Sequence, residues 1–177
     1  MRLIIPLFAL SVLVACDDDT KATADTTTTP DTSEGALCAK YGGAAMVDQV
    51  VKTKIIPAIA GDCRINTFFT ALSSDGLNHV VECLSTQVQA LFGCAGVRYS
   101  GSLDSRGAPC RDMRSVHLGL QLSQGDFDAL IDDVVQGLTA AGVEESDINT
   151  AAPALLGMAP DIVAQPDHND PTHGVCE

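Results

Sequence analysis

An apolar stripe with the period of an α-helix runs through residues 124–141 and constrains the fold more than any other feature of this sequence. Six side chains recur at i, i+3, i+4, i+7, i+8 and i+11: Phe127, Leu130, Ile131, Val134, Val135 and Leu138. This spacing places them on one helix face, which must be buried against another element. Ser123 and Asp126 have the spacing of a capping box, and Gly142 is placed to end the helix.

The same period recurs elsewhere after residue 36. A second stripe predicts a helix from about Ser74 to Gly93, and its apolar members are Leu77, Val80, Val81, Leu84, Val88 and Leu91. Further helices are predicted over residues 44–60, where Pro57 is expected to kink the last turn, and over residues 146–163. No segment alternates long enough to predict a strand, so the fold class is all-α.

The first 36 residues have a different composition. Residues 1–15 place Arg2 before an apolar run shorter than the roughly 20 residues that span a bilayer, which is typical of an export signal. The run ends at Cys16 and resembles the lipobox of bacterial lipoprotein precursors; the alternative is an ordinary signal peptide with a chance cysteine. Residues 16–36 then read as a lipidated cysteine followed by a disordered, acidic, Thr-rich tether.

These features predict a location on the periplasmic side of a bacterial membrane, with the membrane contacted through the lipidated Cys16. Asp17 directly after it resembles the signal for retention at the inner membrane. The net charge of −13 makes nucleic acid an improbable partner, because binding it requires Lys and Arg to neutralise phosphates.

Without Cys16, six cysteines remain, at positions 38, 63, 83, 94, 110 and 176. An even number in an exported chain predicts up to three disulfides, in any of fifteen pairings. Cys94 and Cys110 bracket a long Gly- and Ser-rich loop, and a bridge between them is one hypothesis, worth about 3 kcal/mol if unstrained. The sequence has no C-x-x-C pair, which excludes zinc ribbons, thioredoxin motifs and c-type haem attachment.

His117 is the most informative of the four histidines. His168 and His173 lie in the tail, residues 164–177, where solvated disorder is the expected state. His117 instead follows the loop and precedes the best helix, so its ring is expected to point inward. A buried neutral imidazole needs a partner for its nitrogens, which can be a protein group or a metal ion. A structural role and a ligand role therefore both remain open from the residues alone.

Several short motifs resemble, in order, those of truncated haemoglobins of the first group. They are LCAKYGG at 37–43, RINTFF at 64–69, YSG at 99–101, MRSVH at 113–117 and SQGDFDALIDDVVQGLTAAGVEESDI at 123–148. Each motif is weak, and together they are specific. The resemblance covers residues 37–163 and marks this range as a truncated globin domain.

The resemblance implies a two-over-two helical sandwich that holds haem b between a distal helix and a proximal segment, with an inserted loop over residues 102–109 before the proximal histidine. His117 would be the ligand of the haem iron. The haem contacts that it implies are His117, Phe68, Phe69, Leu77, Val81, Met113, Arg114 and Phe127. Arg114 could pair with a haem propionate, which suits a guanidinium, or could be a solvated surface residue.

The chain departs from the family on the distal side. The family often has a Phe-Tyr pair whose hydroxyl donates to bound oxygen, and counting from Gly43 places Lys54 and Ile55 there. The distal helix presents Leu77 and other aliphatic residues. His79, a sixth iron ligand if the register slips by one residue, lies about 200° from Leu77 around the helix and is expected to face away. Such a pocket favours CO and NO over oxygen.

The resulting functional hypothesis is a lipid-anchored haem protein that binds a diatomic gas (oxygen, NO or CO) at iron held by His117. No catalytic residue is assigned. One alternative is a haem-free globin-like lipoprotein that serves as a protein-interaction module. Another is an NO-detoxifying dioxygenase, which would need an unknown reductase as its partner.

Overall fold

Helix α7 spans Gln124–Ala140 in the computed structural model, which describes residues 35–172 and residue 176. The predicted capping box is present: the Ser123 hydroxyl accepts from the Asp126 N–H at 3.0 Å, and the Asp126 carboxylate accepts from the Ser123 N–H at 2.8 Å. Gly142 follows with φ of +82°, a conformation that glycine adopts without steric cost. Local sequence therefore determines both ends of this helix.

The described residues are α-helical, as predicted, and their only β features are two isolated bridges. The helices are α1 (Ala36–Lys40), α2 (Ala44–Val50), α3 (Ile56–Gly61), α4 (Thr67–Thr70), α5 (Ser74–Leu91), α6 (Met113–His117), α7, α8 (Glu145–Leu156) and α9 (Ala159–Ile162). A π-helical turn, Val51–Ile55, joins α2 to α3. Within this described part, no helix is both long and apolar enough to cross a membrane.

Two pairs of helices form the body of the fold. The α2–π–α3 segment packs with α5, and α7 packs with α8; α7 also packs on the π turn and α3, while α5 packs on α8. Their apolar faces meet in what we call the large cluster, whose most buried members are Val51, Ile55, Val88, Phe92 and Ala129. This is the two-over-two sandwich that the sequence predicts.

The π turn is the main irregularity in the segment predicted as one helix over residues 44–60. It precedes Pro57, which has no N–H to donate to the preceding turn. Ile55 in this turn is fully buried, and α7 approaches it closely. A Cβ built on Gly137 would lie 2.6 Å from the Cγ1 of Ile55 and 2.8 Å from its Cα, so only glycine fits there.

The last predicted helix is divided in two. Helix α8 ends at Leu156, and α9 begins at Ala159 with Pro160 in its first turn. A proline at that position has no intrahelical N–H to lose, so it starts a new helix more readily than it continues an old one. Pro153 lies inside α8.

The disulfides differ from the Cys94–Cys110 hypothesis, which is wrong. The observed pairs are Cys38–Cys94, Cys63–Cys176 and Cys83–Cys110, with Cα–Cα distances of 5.1, 5.2 and 5.6 Å. Each bridge joins the loop or the tail to a helical region elsewhere in the fold. The long loop is therefore tied to α5 through Cys110 rather than closed on itself.

The C-terminal tail is also more ordered than expected over residues 164–172. The Ser123 hydroxyl donates to the Asp170 carbonyl at 2.8 Å, and the Asp126 carboxylate accepts from the N–H and hydroxyl of Thr172. A Cβ on Gly125 would lie 2.3 Å from the Asn169 carbonyl oxygen, so the tail lies directly on the start of α7. The expectation of disorder is wrong for His168, although its side chain is exposed as expected, and His173 lies outside the described residues.

Candidate functional site

His117 is the last residue of α6, a short helix that begins where the long loop ends. Asp112 caps this helix, since its carboxylate accepts from the N–H and hydroxyl of Ser115. The His117 Nδ1 lies 2.7 Å from the Met113 carbonyl oxygen. A carbonyl can only accept, so Nδ1 carries the proton and Nε2 keeps its lone pair. No described residue bonds Nε2, which leaves it available as a metal ligand.

Three of the predicted site residues meet beside α6. Phe68, Met113 and Phe127 all belong to what we call the small cluster, centred on Leu122, Phe127 and Ile162. Phe127 is buried there, whereas Phe68 and Met113 are half-buried. Phe69 packs only on the large cluster. The structure therefore places the start of α7, helix α4 and the start of α6 around one apolar centre.

The second apolar stripe, which lies on α5 and which we call the distal stripe, packs in the core only over its C-terminal half. Leu84, Val88 and Leu91 pack in the large cluster, but Leu77 is 39% exposed, and Val80 and Val81 contribute to neither cluster. Directly after α6, Leu118 is 81% exposed and Leu120 is 41% exposed. We call these five residues the open apolar set. The two valines are half-buried, and the three leucines form apolar surface that the described residues leave exposed.

Arg114 lies on α6 one turn before Leu118. Its side chain is 75% exposed, and its single ion-pair contact among the described residues is a distant one, at 4.0 Å from Asp161. An exposed guanidinium with a weak partner can bind a carboxylate of a ligand without breaking an existing interaction.

His79 is held by the inserted loop. Its Nδ1 lies 2.8 Å from the Asp104 Oδ2, and Asp104 is buried. Hydrogen bonds from His79 and from the loop backbone lower the Asp104 pKa to about 2, so the carboxylate is ionised and the imidazole donates to it. The ring nitrogens also lie 3.7–3.9 Å from the Cys83 sulfur. His79 thus contacts the loop and the Cys83–Cys110 bridge, on a different face of α5 from Leu77.

The structure places no tyrosine beside the distal stripe. The π turn adds one residue to the helical count, so the position counted from Gly43 falls on Ile55 or Ile56, and both are aliphatic. The Tyr41 hydroxyl is used elsewhere: it donates to Asp147 and accepts from the Glu144 N–H.

Gln87 is a polar residue that the sequence reasoning missed. It lies two turns after Val80 on the same face of α5, and its amide donates to the Met158 sulfur at 3.6 Å. Its Oε1 is buried and has no partner among the described residues. The apolar spacing drew attention to the aliphatic members of the stripe and concealed this residue.

A narrow apolar cavity of about 30 Å³ lies between α5, α7 and α8. Every side chain that lines it is apolar, and they include Leu91, Ile131, Val135 and Leu156. None of the predicted haem contacts lines this cavity. Sequence spacing marked the α7 members as core residues, and only the packing of α8 shows that they border a cavity.

A second groove contains a buried acid. Asp133 on α7 is 3% exposed, and its Oδ2 has no partner among the described residues. Burial and the nearby charge of Asp62 raise the Asp133 pKa to about 6. Arg64 in turn binds Asp62 at 2.8 Å. This groove is separate from α6 and contains no residue predicted for the site.

Comparison with known proteins supports the fold. No family model matches the sequence, and no curated protein matches it. Three solved structures of truncated haemoglobin from Tetrahymena pyriformis, single-substitution mutants in the Fe(III) form, are similar to this chain with a TM-score of 0.59. Each is 24% identical in sequence, and the match covers 72% of this chain and 97% of the other. The chain therefore has the truncated haemoglobin fold.

Proposed function

We propose that this chain is a haem globin that binds a diatomic gas at iron held by His117. The observation that carries the proposal is the hydrogen bond from Nδ1 to the Met113 carbonyl, which leaves the Nε2 lone pair free. The fold supports the proposal, because the solved structures that it resembles are truncated haemoglobins.

The residues present fit a flat apolar cofactor. The open apolar set lies on α5 and directly after α6, where a bound haem would cover it and recover the free energy of burial. Phe68, Met113 and Phe127 supply a rigid apolar wall beside the His117 helix. Arg114 is exposed and weakly paired, and so is able to bind a propionate. When bound, haem iron supplies an open coordination position for a gas.

The residues of the chain determine which gas is favoured. His117 would orient the proximal side through its bond to Met113, and the aliphatic side chains of Leu77, Val80 and Val81 would exclude water from the distal side. Ile55 and Ile56 offer no hydroxyl, so the position that holds a tyrosine in the family has no donor for a polar ligand. CO and NO would therefore bind more favourably than oxygen, which also argues against NO dioxygenation as the main activity.

The location is proposed from the sequence alone. Cys16 and the export signal lie outside the described residues, and they support a lipid anchor on the periplasmic side of a bacterial membrane. Substituting Cys16→Ser should release the full chain from the membrane fraction. A chain that stays in that fraction after this change would contradict the lipid anchor.

The test of haem binding is an absorption spectrum of the full chain with haem supplied, in ferric, ferrous and CO-bound forms. We expect a Soret band that is lost in His117→Ala and unchanged in His168→Ala, the matched control in the tail. A change to high-spin iron in His79→Ala would show that His79, not solvent or gas, occupies the sixth position. A colourless wild-type chain would favour the haem-free interaction module.

A further inference from the structure

The inserted loop lies along one face of α5. Asp75, His79, Glu82 and Cys83 follow the i, i+4, i+7, i+8 spacing of a single helix face, and each contacts the loop. The contacts are Arg106–Asp75 at 2.8 Å, His79–Asp104 at 2.8 Å, Ser105–Glu82 at 2.6 and 2.7 Å, and the Cys83–Cys110 disulfide. Helix α5 therefore has an apolar face toward the core and a polar face that the loop covers.

Hydrogen bonds within the loop hold its shape, so the contacts with α5 also hold the rest of the loop in place. The Asp104 carboxylate accepts from the backbone N–H groups of Arg106 and Ala108, at 2.9 and 2.8 Å. The Cys110 N–H donates to the Ser102 carbonyl at 2.7 Å, which closes the base of the loop. Because Asp104 is buried and ionised, the loss of its partner His79 would remove its shortest side-chain contact and leave the Arg106 guanidinium, at 3.7 Å, as the remaining charged partner.

The attachment continues directly into α6. Cys110 is two residues before Asp112, the cap of α6, and α6 is only five residues long with His117 at its end. A helix this short has little stability of its own, so its position depends on what holds its ends. One end is held by the loop and the Cys83–Cys110 bridge, and the helix also packs on α9.

We propose that the inserted loop is a clamp that positions His117 relative to α5, and that His79 is a positioning residue within it rather than an iron ligand. His79 acts by keeping Asp104 and the loop against α5, which holds Cys110 and the start of α6 in place. The role of His117 itself rests on the proposed function, whereas the clamp of α6 does not require haem.

The first measurement is amide hydrogen exchange over residues 112–118 in the full chain without added haem. We expect His79→Leu to speed exchange in this segment by about tenfold, as the loss of a charge-assisted hydrogen bond implies. His79→Gln, which can still donate to Asp104, should restore most of the protection. Asn78→Leu, an exposed neighbour on α5, is the control and should change nothing. Unchanged exchange in His79→Leu would show that α9 and the Cys83–Cys110 bridge hold α6 without His79, and would overturn the proposal.

The second measurement is resonance Raman of the haem-loaded ferrous protein. In His79→Leu we expect the Soret band to be kept and the iron–histidine band to broaden or shift, with recovery in His79→Gln. Conversion of a low-spin iron to high-spin in His79→Leu would make His79 a ligand and overturn its positioning role. If wild type binds no haem, the proposed function fails while the exchange result still decides the clamp. Glu82→Gln, which weakens the Ser105 contacts, provides the same exchange test if His79→Leu does not fold.

Discussion

The large cluster and the surroundings of α6 differ in how completely the chain buries its own apolar side chains. In the large cluster Val51 and Ile55 are fully buried, and Gly137 admits no added atom. By contrast, Leu77 on α5 and Leu118 and Leu120 after α6 are exposed. The difference teaches that this fold buries its apolar side chains fully in one region and leaves leucines exposed in another.

The largest loss of stability is expected from a larger side chain at Gly137, which packs against Ile55 of the large cluster. Gly137→Val would place side-chain atoms against the backbone of Ile55, and we expect the free energy of unfolding to fall by roughly 3 kcal/mol or more. Denaturant unfolding followed by circular dichroism measures this. Gly61→Ala is the control, because nothing lies within 4 Å of the added Cβ and its backbone is helical. Equal stability of the two variants would contradict the close packing of α7 on the π turn.

The second prediction concerns haem, which we expect to stabilise the folded chain. With free haem at 100 times its Kd, binding to the folded state alone would raise the free energy of unfolding by about 2.7 kcal/mol. The thermal midpoint of wild type should rise with added haem, and that of His117→Ala should not. A rise of the same size in His117→Ala would place haem elsewhere on the chain.

The buried carboxyl group of Asp133 on α7 makes the free energy of unfolding depend on pH. The Asp133 pKa rises from 3.8 to about 6 on folding, so the folded state holds this proton more tightly than the unfolded state. The stability it contributes is present below about pH 4 and is lost as pH rises through 6, a change of about 1–3 kcal/mol. Asp133→Asn has a side chain of nearly the same size that cannot ionise, and it should be more stable than wild type at pH 7 by a similar amount. Asp128→Asn, exposed on the same helix, should leave the pH profile unchanged.

The smallest effect should come from the most exposed leucine. Leu118→Ala removes a side chain that buries little in the chain alone, so we expect the free energy of unfolding to change by less than about 0.5 kcal/mol. Val51→Ala, in the large cluster, should by contrast cost about 1–3 kcal/mol. If Leu118→Ala lowers haem affinity while sparing stability, the open apolar set is a ligand surface. A large loss of stability would place Leu118 in a core that the structure does not show.

Local patterns predicted the long helices correctly. The capping box at Ser123 and the stop at Gly142 depend on atoms within four residues of each other, so sequence spacing reveals them. The π turn was missed because an apolar stripe tolerates one extra residue. The Cys94–Cys110 hypothesis failed because sequence proximity is a poor guide where packed helices bring distant thiols together.

The candidate site divides in the same way. Its apolar members could be predicted from a helical period and a family resemblance, and the structure groups Phe68, Met113 and Phe127 as one small cluster. The partner of His79 could not be predicted, because Asp104 lies 25 residues away in a loop without periodicity. Gln87 was missed because its neighbours in the stripe are aliphatic. The helical period shows which face of the helix a residue lies on, but not which residues that face contacts.

The sequence by itself determined the fold class and the ends of α7. It also showed that His117 follows shortly after the long loop. The fold class and the helix ends depend on capping and side-chain period, which are interactions within one or two helical turns. Only the tertiary structure decided which cysteines pair, that residues 164–172 lie on α7, and that the loop covers the polar face of α5. Each of these joins residues far apart in the chain, where packing of whole helices, and not local preference, selects the partner.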